Sequence, residues 1–509
     1  MNNNSSIEEI KTSIGNLVVT NQKYDSVSGE GPNEIINAII KENPEVQLFL
    51  TLSRSYDRFG QATEFTTSTI NSTLGVYNNF ISLTPTYDEN NRLIQITKNR
   101  KSIINGTETN SVDFYNQYLY PPQSNNNIKE YAQKLTITNP PIKKTTASHN
   151  NDDQLEQLKG SINRKYAYTE NGELKSMTNC YGTVNYEYDS FGNLKKVTMP
   201  NGKIIEYKVD GFNRRIKKLI NGKVEEYYLW YDQTRLAAIL DANKQTKIVY
   251  IYGPESNHTP SFVVKEEHTY KIIHDPGTGS VRYVVDPINT LIMQEIEYDE
   301  YGNMMKNTNP EFQPVGYTGG MYDADTKFIK LGARDYDPTI GRWTTKDPIG
   351  FNGGDTNLYA YVGGDPMSAI DPDGLKTTLV VTRDFGFATH TALHLTNNGN
   401  SVLYDPSGSY LNSRRGSGDT FGDNDADLGN FIKYHTNMGS TVETVIFNTT
   451  ADQEALIANQ ISSFGGGGAF GCANSVSNVL GLCGISPTRF PSNLANQAKK
   501  AGGVCSSGK

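Results

Sequence analysis

Cys472 and His390 are the two residues of this chain whose types and positions best fit a nucleophile and its base. Cys472 follows the glycine run 465–468 and precedes apolar residues at helical spacing, Val476, Val479 and Leu480. This pattern predicts a thiol at a helix N-terminus, where the dipole and free N–H groups stabilise a thiolate and can bind an oxyanion. Such a site is suited to acyl transfer. A buried structural cysteine is the alternative interpretation.

His390 belongs to a predicted β-hairpin that brings it close to a carboxylate. The dipeptide Asn398–Gly399 separates two alternating segments and is typical of a two-residue hairpin loop. In the register that this loop sets, Asp405 lies opposite Ala392. That alanine shares a strand face with His390 and His394, because strand side chains alternate. Asp405 is therefore diagonal to both imidazoles and within their reach.

Only one of the two histidines can serve Cys472, because four residues of strand separate them by about 13 Å. We favour His390, at the entry of the strand, where a helix end can approach, and keep His394 as the alternative. The predicted catalytic set is therefore Cys472, His390 and Asp405. No cofactor and no metal site is predicted, since the chain has no CxxC pair.

The other three cysteines, Cys180, Cys483 and Cys505, are too scattered for a disulfide framework. A helix would hold Cys472 and Cys483 about 16 Å apart, which is too far for a disulfide bond. A pairing of Cys472 with Cys505 stays open. So few cysteines indicate synthesis in a reducing compartment.

The composition favours strands and turns in more than one domain. The 509 residues predict about two to four domains, and 31 tyrosines outnumber 19 phenylalanines and 2 tryptophans. The net charge of −8 gives no general affinity for polyanions. Segment 376–509 carries nine basic and nine acidic residues, which argues against a nuclease. Neither a signal-peptide pattern nor a membrane-spanning segment is predicted.

A Tyr-Asp pair followed by a glycine or asparagine turn recurs at 56–60, 87–91, 188–193 and 298–303. An alternating segment follows each turn, which is the pattern of a hairpin. Hairpins that cannot bury a face alone must stack, so a long curled β-sheet is predicted. We expect a disordered N-terminus over 1–30, the repeat sheet over 31–273 and a flexible insertion near 121–160.

The repeats resemble the YD-repeat family of Rhs proteins and Tc-toxin C components. Five blocks in the family's order carry the resemblance: 274–282, 332–343, 347–350, 357–361 and 371–375. The resemblance implies a β shell with an RHS repeat-associated core domain over 274–375. It also implies that the shell encloses a C-terminal toxin and cuts it free between Leu375 and Lys376.

The implied cut is of aspartyl-protease type, in which one carboxyl holds a proton and the other activates water. The leading pair is Asp347 and Asp371, with Asp335 close behind and Arg334 as a charge partner. The alternative is that these Asp-Pro and Asp-Gly pairs only form turns.

The C-terminal segment 376–509 resembles the circularly permuted papain-like hydrolases of the NlpC/P60 type. The likeness lies in 390–393, 403–409 and 471–480. It implies a small α+β domain with thiol chemistry at an amide or ester. Peptidase, deamidase and acyltransferase all stay open.

The chain is thus predicted to be an Rhs-type toxin: a mainly β YD-repeat shell of stacked hairpins, followed by a papain-like cysteine hydrolase released by self-cleavage. Its substrate would be peptidoglycan or a protein amide in a target cell. We expect a cytoplasmic protein exported by a signal-peptide-independent secretion apparatus, with a cognate immunity protein and no nucleic-acid partner. One alternative is another cargo such as an ADP-ribosyltransferase, although no Glu-x-Glu follows Leu375. A non-enzymatic YD-repeat surface or adhesion protein is the other.

Overall fold

The computed structural model divides the chain into two compact units. The repeat unit comprises Met1–Thr345 and Tyr361–Ile370, and the C-terminal unit comprises Lys346–Ala360 and Asp371–Lys509. The residues that the structure describes are 7–14, 17–24, 33–40, 48–57, 61–71, 77–104, 107–121, 126–135, 143–232, 234–253, 258–289, 291–347, 357–371, 377–384, 387–397, 400–406, 410, 419–422, 426, 428–447, 457, 460–461, 472–480, 485, 487–500 and 504–508.

The repeat unit is built on one antiparallel sheet that has 25 strands in its described residues. Its first strands are β1 (Ile7–Ile14), β2 (Leu17–Tyr24), β3 (Asn33–Ile40), β4 (Leu48–Tyr56), β5 (Ala62–Asn71), β6 (Tyr77–Tyr87), β7 (Leu93–Ile104), β8 (Thr107–Leu119), β9 (Glu130–Leu135), β10 (Lys143–His149), β11 (Leu155–Gly160) and β12 (Arg164–Tyr168). They continue as β13 (Leu174–Asn179), β14 (Gly182–Tyr188), β15 (Leu194–Thr198), β16 (Ile204–Val209), β17 (Arg215–Ile220), β18 (Lys223–Trp230), β19 (Leu236–Asp241), β20 (Thr246–Ile251), β21 (Phe262–Lys265), β22 (His268–His274), β23 (Val281–Val285), β24 (Ile292–Tyr298) and β25 (Met304–Asn307). Each strand pairs with the next along the chain, so the mainly β fold of stacked hairpins is confirmed.

Two predicted irregular segments are instead part of this sheet. β1 and β2 form a hairpin in which Ile7 pairs with Tyr24 and Ile14 with Leu17, where disorder over 1–30 was predicted. β9, β10 and β11 likewise cross the predicted flexible insertion at 121–160. Both predictions relied on polar composition, but strand pairing satisfies backbone N–H and C=O groups whatever the side chains, so a polar segment can extend the sheet.

The aspartate of the Tyr-Asp pair closes its own loop. Oδ1 of Asp189 accepts hydrogen bonds from the N–H groups of Phe191 and Asn193, both at 2.9 Å. The same pair of bonds recurs at Asp88, Asp210, Asp241 and Asp299. Gly192 completes the loop with a φ of +80°, a conformation that glycine adopts at little cost. The repeated aspartate is therefore a local turn-closing residue.

Neighbouring loops are also joined to each other. Nδ2 of Asn193 donates to Oδ1 of Asn213 at 3.0 Å, across the loops that follow β14 and β16. Nη1 of Arg214 then donates to the carbonyl of Asp232 at 3.2 Å, in the loop that follows β18. These bonds fix the spacing of successive hairpins at one rim of the sheet.

Buried ion pairs tie the segment after β22 to strands far away in sequence. Arg54 lies 2.9 Å from Asp275, Arg215 lies 2.8 Å from Asp335, and Lys218 lies 2.9 Å from Asp323. Four short strands form a second sheet in this segment: β26 (Met321–Tyr322), β27 (Ile329–Leu331), β28 (Arg334–Asp337) and β29 (Arg342–Trp343). Apolar side chains connect the same two regions, because Phe328 and Ile340 pack in the core formed by β11 to β16.

The C-terminal unit contains a separate antiparallel sheet of six strands in its described residues. They are β30 (Thr377–Asp384), β31 (Phe387–Asn397), β32 (Asn400–Asp405), β33 (Asp419–Gly422), β34 (Thr441–Phe447) and β35 (Val504–Gly508), in the order β33-β32-β31-β30-β34-β35. Three helices accompany them: α1 (Leu428–Asn437), α2 (Cys472–Val479) and α3 (Pro491–Lys500).

Both faces of this sheet are covered, which explains why its central strands are apolar on both sides. Leu379 and Leu393 pack in one core with α2 and α3, whereas Val380 and Ala392 pack in another with Phe431 of α1. Of the catalytic candidates, Cys472 begins α2, His390 lies near the start of β31 and Asp405 ends β32. Among the described residues, no helix is long and apolar enough to cross a membrane.

Candidate active site

Cys472 is the first residue of α2, as predicted from its sequence context. The side chain is free of disulfide bonds and 4 % exposed. The helix is fixed to the sheet because its apolar side chains enter the core below it and Ser475 hydrogen-bonds the Tyr404 phenol. The sulfur is thereby held at a helix N-terminus, whose free N–H groups can bind a developing oxyanion. The glycines before Cys472 lie outside the described residues.

His390 and Asp405 are joined through the predicted strand register. Leu393 pairs with Tyr404 and Thr396 with Ser401, which are the partners that a two-residue loop requires. The loop residues themselves lie outside the described residues. Nε2 of His390 lies 2.5 Å from Oδ1 of Asp405, which is 1 % exposed. The diagonal contact inferred from the sequence is therefore confirmed, while the catalytic roles stay predictions.

The imidazole of His390 also hydrogen-bonds the thiol of Cys472. Because Nε2 faces Asp405, Nδ1 is the ring nitrogen left for the sulfur. The backbone N–H of Thr391 reaches the same sulfur. Thiol, imidazole and carboxylate thus form one hydrogen-bonded chain, the arrangement that activates a cysteine nucleophile.

The electrostatics of this chain favour a charged pair. Burial lowers the pKa of His390, but the hydrogen bonds to Asp405 and Cys472 and their negative charges outweigh it, so the pKa is raised from 6.5 to about 9. Burial raises the pKa of the Cys472 thiol, yet the hydrogen bond and positive charge of His390 lower it below its ordinary value of 9.0. Thiolate and imidazolium are therefore the forms that stabilise each other.

His394, the alternative base, is fully buried in the middle of β31, where it pairs with Thr378 and Leu403. The hydrogen-bond partners that govern the titration of Cys472 are His390 and Thr391. This geometry favours His390 as the base.

A third histidine beside the site, His435, was missed in the sequence. It lies on α1, and its ring centroid is 5.7 Å from that of His390, with the planes 31° apart. Phe431 and Tyr434 enclose it with their rings at 4.6 and 5.2 Å. The one signal in the sequence is the helical spacing of Phe431, Tyr434 and His435, which predicts an aromatic cluster on α1. That spacing does not predict which other residue the cluster contacts.

The residues expected for self-cleavage are distributed over both units. In the repeat unit, Asp335 is engaged by Arg215 at 2.8 Å and by Lys330 at 3.9 Å, and all three are buried. Burial lowers the pKa of Lys330 to about 8 despite the charge of Asp335. The Arg334 guanidinium lies over the Trp343 ring at 4.0 Å. These contacts favour a structural role for Asp335 and Arg334.

In the C-terminal unit, Asp347 is half-buried and its backbone N–H donates to the carbonyl of Leu358 at 2.9 Å. Asp371 is fully buried. Leu375 and Lys376, the residues flanking the predicted cut, lie outside the described residues. The pairing of Asp347 with Asp371 stays a prediction. Across the described part of the chain, no group of three or more metal-binding side chains is found.

Comparisons with known proteins concern the repeat unit. Residues 153–367 match a family model described as Teneurin YD-shell. Teneurin-3 of Mus musculus is 31 % identical over 242 residues, which are 45 % of this chain and 9 % of that protein. The tRNA nuclease WapA of Bacillus subtilis (strain 168) is 28 % identical over 258 residues, which are 49 % of this chain and 11 % of that protein. The chain thus spans about a tenth of the length of these relatives.

A solved structure shares the fold. The crystal structure of TcdB2-TccC3 superposes with a TM-score of 0.50 at 17 % sequence identity, covering 70 % of this chain and 21 % of that one. Together with the family model, this similarity supports a YD-repeat shell, as the sequence blocks indicated.

Proposed function

We propose that the C-terminal unit is a cysteine hydrolase acting on an amide or ester, with Cys472 as nucleophile, His390 as base and Asp405 as orienting acid. The observation that carries the proposal is the continuous hydrogen-bonded chain from the sulfur through the imidazole to the buried carboxylate. The likeness of 390–393, 403–409 and 471–480 to permuted papain-like hydrolases supports the same assignment. Peptidase, deamidase and acyltransferase differ only in leaving group and acceptor.

The reaction follows from the charged pair. The Cys472 thiolate attacks the carbonyl carbon, and the oxyanion that forms accepts hydrogen bonds from the N-terminal N–H groups of α2. The His390 imidazolium then protonates the leaving group, which departs and leaves a thioester. His390, now neutral, takes a proton from water, and the hydroxide equivalent attacks the thioester to release the acid and regenerate the thiol. Asp405 keeps Nε2 fixed and stabilises the imidazolium.

We further propose that the repeat unit is the carrier of this enzyme and that the chain cuts itself between Leu375 and Lys376, with Asp347 and Asp371 as the acting carboxyls. The supporting observations are the YD-repeat shell and its similarity to TccC3, a component of a larger assembly. Export through a secretion apparatus, delivery into a target cell and an immunity protein belong to the same proposal. A nuclease cargo is disfavoured by the balanced charge of 376–509.

The hydrolase proposal is tested by expressing the full chain in the cytoplasm and in the periplasm of a bacterium. Wild type is compared with Cys472→Ala and with Cys180→Ser, which alters an exposed free thiol instead. We expect growth inhibition by wild type and Cys180→Ser and none by Cys472→Ala. Inhibition confined to the periplasm would indicate a cell-wall substrate, and inhibition confined to the cytoplasm a protein or metabolite. Equal toxicity of all three proteins would rule out the thiol mechanism.

The carrier proposal has its own test on a denaturing gel. Wild type should give a band corresponding to 376–509, and Asp347→Asn should abolish it. Asp325→Asn is the matched control, because this carboxyl pairs with Lys203 and Lys218 in the repeat unit. A single intact band for wild type would contradict self-cleavage.

A further inference from the structure

The ring of His435 lies next to that of His390 and is not part of the hydrogen-bonded chain. Both nitrogens of His390 are engaged, Nε2 by Asp405 and the other by Cys472. Those bonds fix the ring within its plane but do not keep water from its faces. The centroid distance of 5.7 Å and the tilt of 31° place the His435 ring directly beside that of His390.

His435 is itself held rigidly, which a covering residue requires. It is 8 % exposed, and the rings of Phe431 and Tyr434 approach it edge-on. Tyr410 stacks edge-on against both Phe431 and Tyr434, so the aromatic cluster is continuous behind the histidine. His390, in contrast, is 13 % exposed at the site. The cluster thus fixes His435 beside His390, whose side chain keeps a small exposed fraction.

We propose that His435 is a positioning residue of the thiol site. Its ring excludes water from one face of His390 and keeps the imidazolium aligned between Asp405 and Cys472. Because a charged hydrogen bond weakens as water competes for it, this cover maintains the electrostatic coupling that lowers the pKa of the thiol. The inference rests on the proposed function, because a positioning role presupposes that Cys472 and His390 act in catalysis. Its test needs no substrate.

The test measures the rate at which iodoacetamide alkylates Cys472 in the full chain between pH 5 and pH 10, with the modified peptide quantified by mass spectrometry. His435→Ala removes the cover, and we expect its alkylation curve to move upward by about one pH unit, a roughly tenfold lower rate at pH 7. His435→Phe keeps a ring in place and should stay within about twofold of wild type. His435→Asn, whose short side chain leaves most of the space of the imidazole open, serves if the alanine variant does not fold, and it should move the curve in the same direction.

Val442→Ala is the matched structural control, because Val442 is buried in the same core as Phe431 and lies on β34. It should lower the melting temperature without moving the alkylation curve. A shift by Val442→Ala equal to that of His435→Ala would overturn the proposal, and so would an unmoved curve in both His435→Ala and His435→Asn. If the curve moves as expected while Cys472→Ala is as toxic as wild type, the positioning role stands and the hydrolase proposal fails.

Discussion

Nε2 of His390 lies 2.5 Å from Oδ1 of Asp405, although the two residues are 15 positions apart and on different strands. The hairpin register brings them together, and the other carboxylate oxygen, Oδ2, is buried with no partner among the described side chains. The Asp405 carboxylate therefore has one hydrogen-bond contact among the described side chains, to His390. Its negative charge should act mainly on the pKa of that histidine.

Replacing Asp405 by Asn should lower the pKa of His390. The substitution keeps an oxygen acceptor and the side-chain volume but removes the negative charge that, with the hydrogen bond, raises this pKa to about 9. Because a less basic imidazole stabilises the thiolate less, we expect the acid limit of Cys472 alkylation to move up by about one pH unit or more, and hydrolysis to fall by at least about tenfold. Alkylation of Cys472 against pH measures the shift, and the exposed Cys180 in the same sample is the control. An unchanged limit would show that the contact has no electrostatic effect.

The thiolate–imidazolium pair should have a defined pH window. The pKa of His390 is raised, so the stability that its protonation contributes is complete below pH 6.5 and is lost as the pH rises through about 9. The pKa of Cys472 is lowered, so the thiolate persists below the ordinary value of 9.0 and is lost on further acidification. Activity should therefore follow a bell whose alkaline side lies near pH 9. In His390→Asn the alkaline decrease in melting temperature should disappear; if it persisted, another group would be responsible.

Asp335→Asn should destabilise the repeat unit strongly. The change leaves the buried guanidinium of Arg215 without its charge partner, and breaking such a pair costs about 3–5 kcal/mol in unfolding free energy. Chemical denaturation measures the loss. Glu295→Gln, which breaks the more exposed pair with Lys306 at 2.7 Å, is the control and should have a much smaller effect. A loss of self-cleavage by Asp335→Asn at unchanged stability would instead assign Asp335 to the chemistry.

The stability of the repeat unit should decrease as the pH rises from about 4 to about 8. Burial and the neighbouring Glu300 raise the pKa of Asp299 from 3.8 to about 8. The folded state therefore holds a proton that the unfolded chain releases, so the stabilising contribution is complete below pH 3.8 and fades up to about pH 8. Asp299→Asn keeps the loop acceptor and should flatten this decrease in denaturation midpoint. Asp189→Asn makes the same change in a half-buried loop; an equally large flattening there would contradict the assignment.

The parts of the fold that the sequence predicted are those with local causes. The Tyr-Asp turns, the hairpin before Asp405 and the helix start at Cys472 depend on residues within a few positions of one another, and the structure has all three. Turn chemistry and side-chain periodicity are readable in a sequence for this reason.

The parts that it did not predict depend on distant partners. Arg54 meets Asp275 across 221 positions, and β1 with β2 owes its place to a sheet edge rather than to its own composition. His435 reaches His390 from α1, which packs on the sheet face that carries Val380 and Ala392, so no spacing along the chain connects the two. Such contacts follow from the three-dimensional arrangement and require it to be known.

The self-closing Tyr-Asp loop has a consequence for how such chains can evolve. Each aspartate accepts hydrogen bonds from N–H groups of its own loop, so the turn of a hairpin forms without help from other hairpins. A whole hairpin can therefore be duplicated or deleted without disturbing the turns of the others. The exceptions are hairpins that contribute an anchor such as Arg54 or Arg215 to the segment after β22. The number of hairpins should therefore vary among related proteins, while the hairpins that carry these anchors are retained.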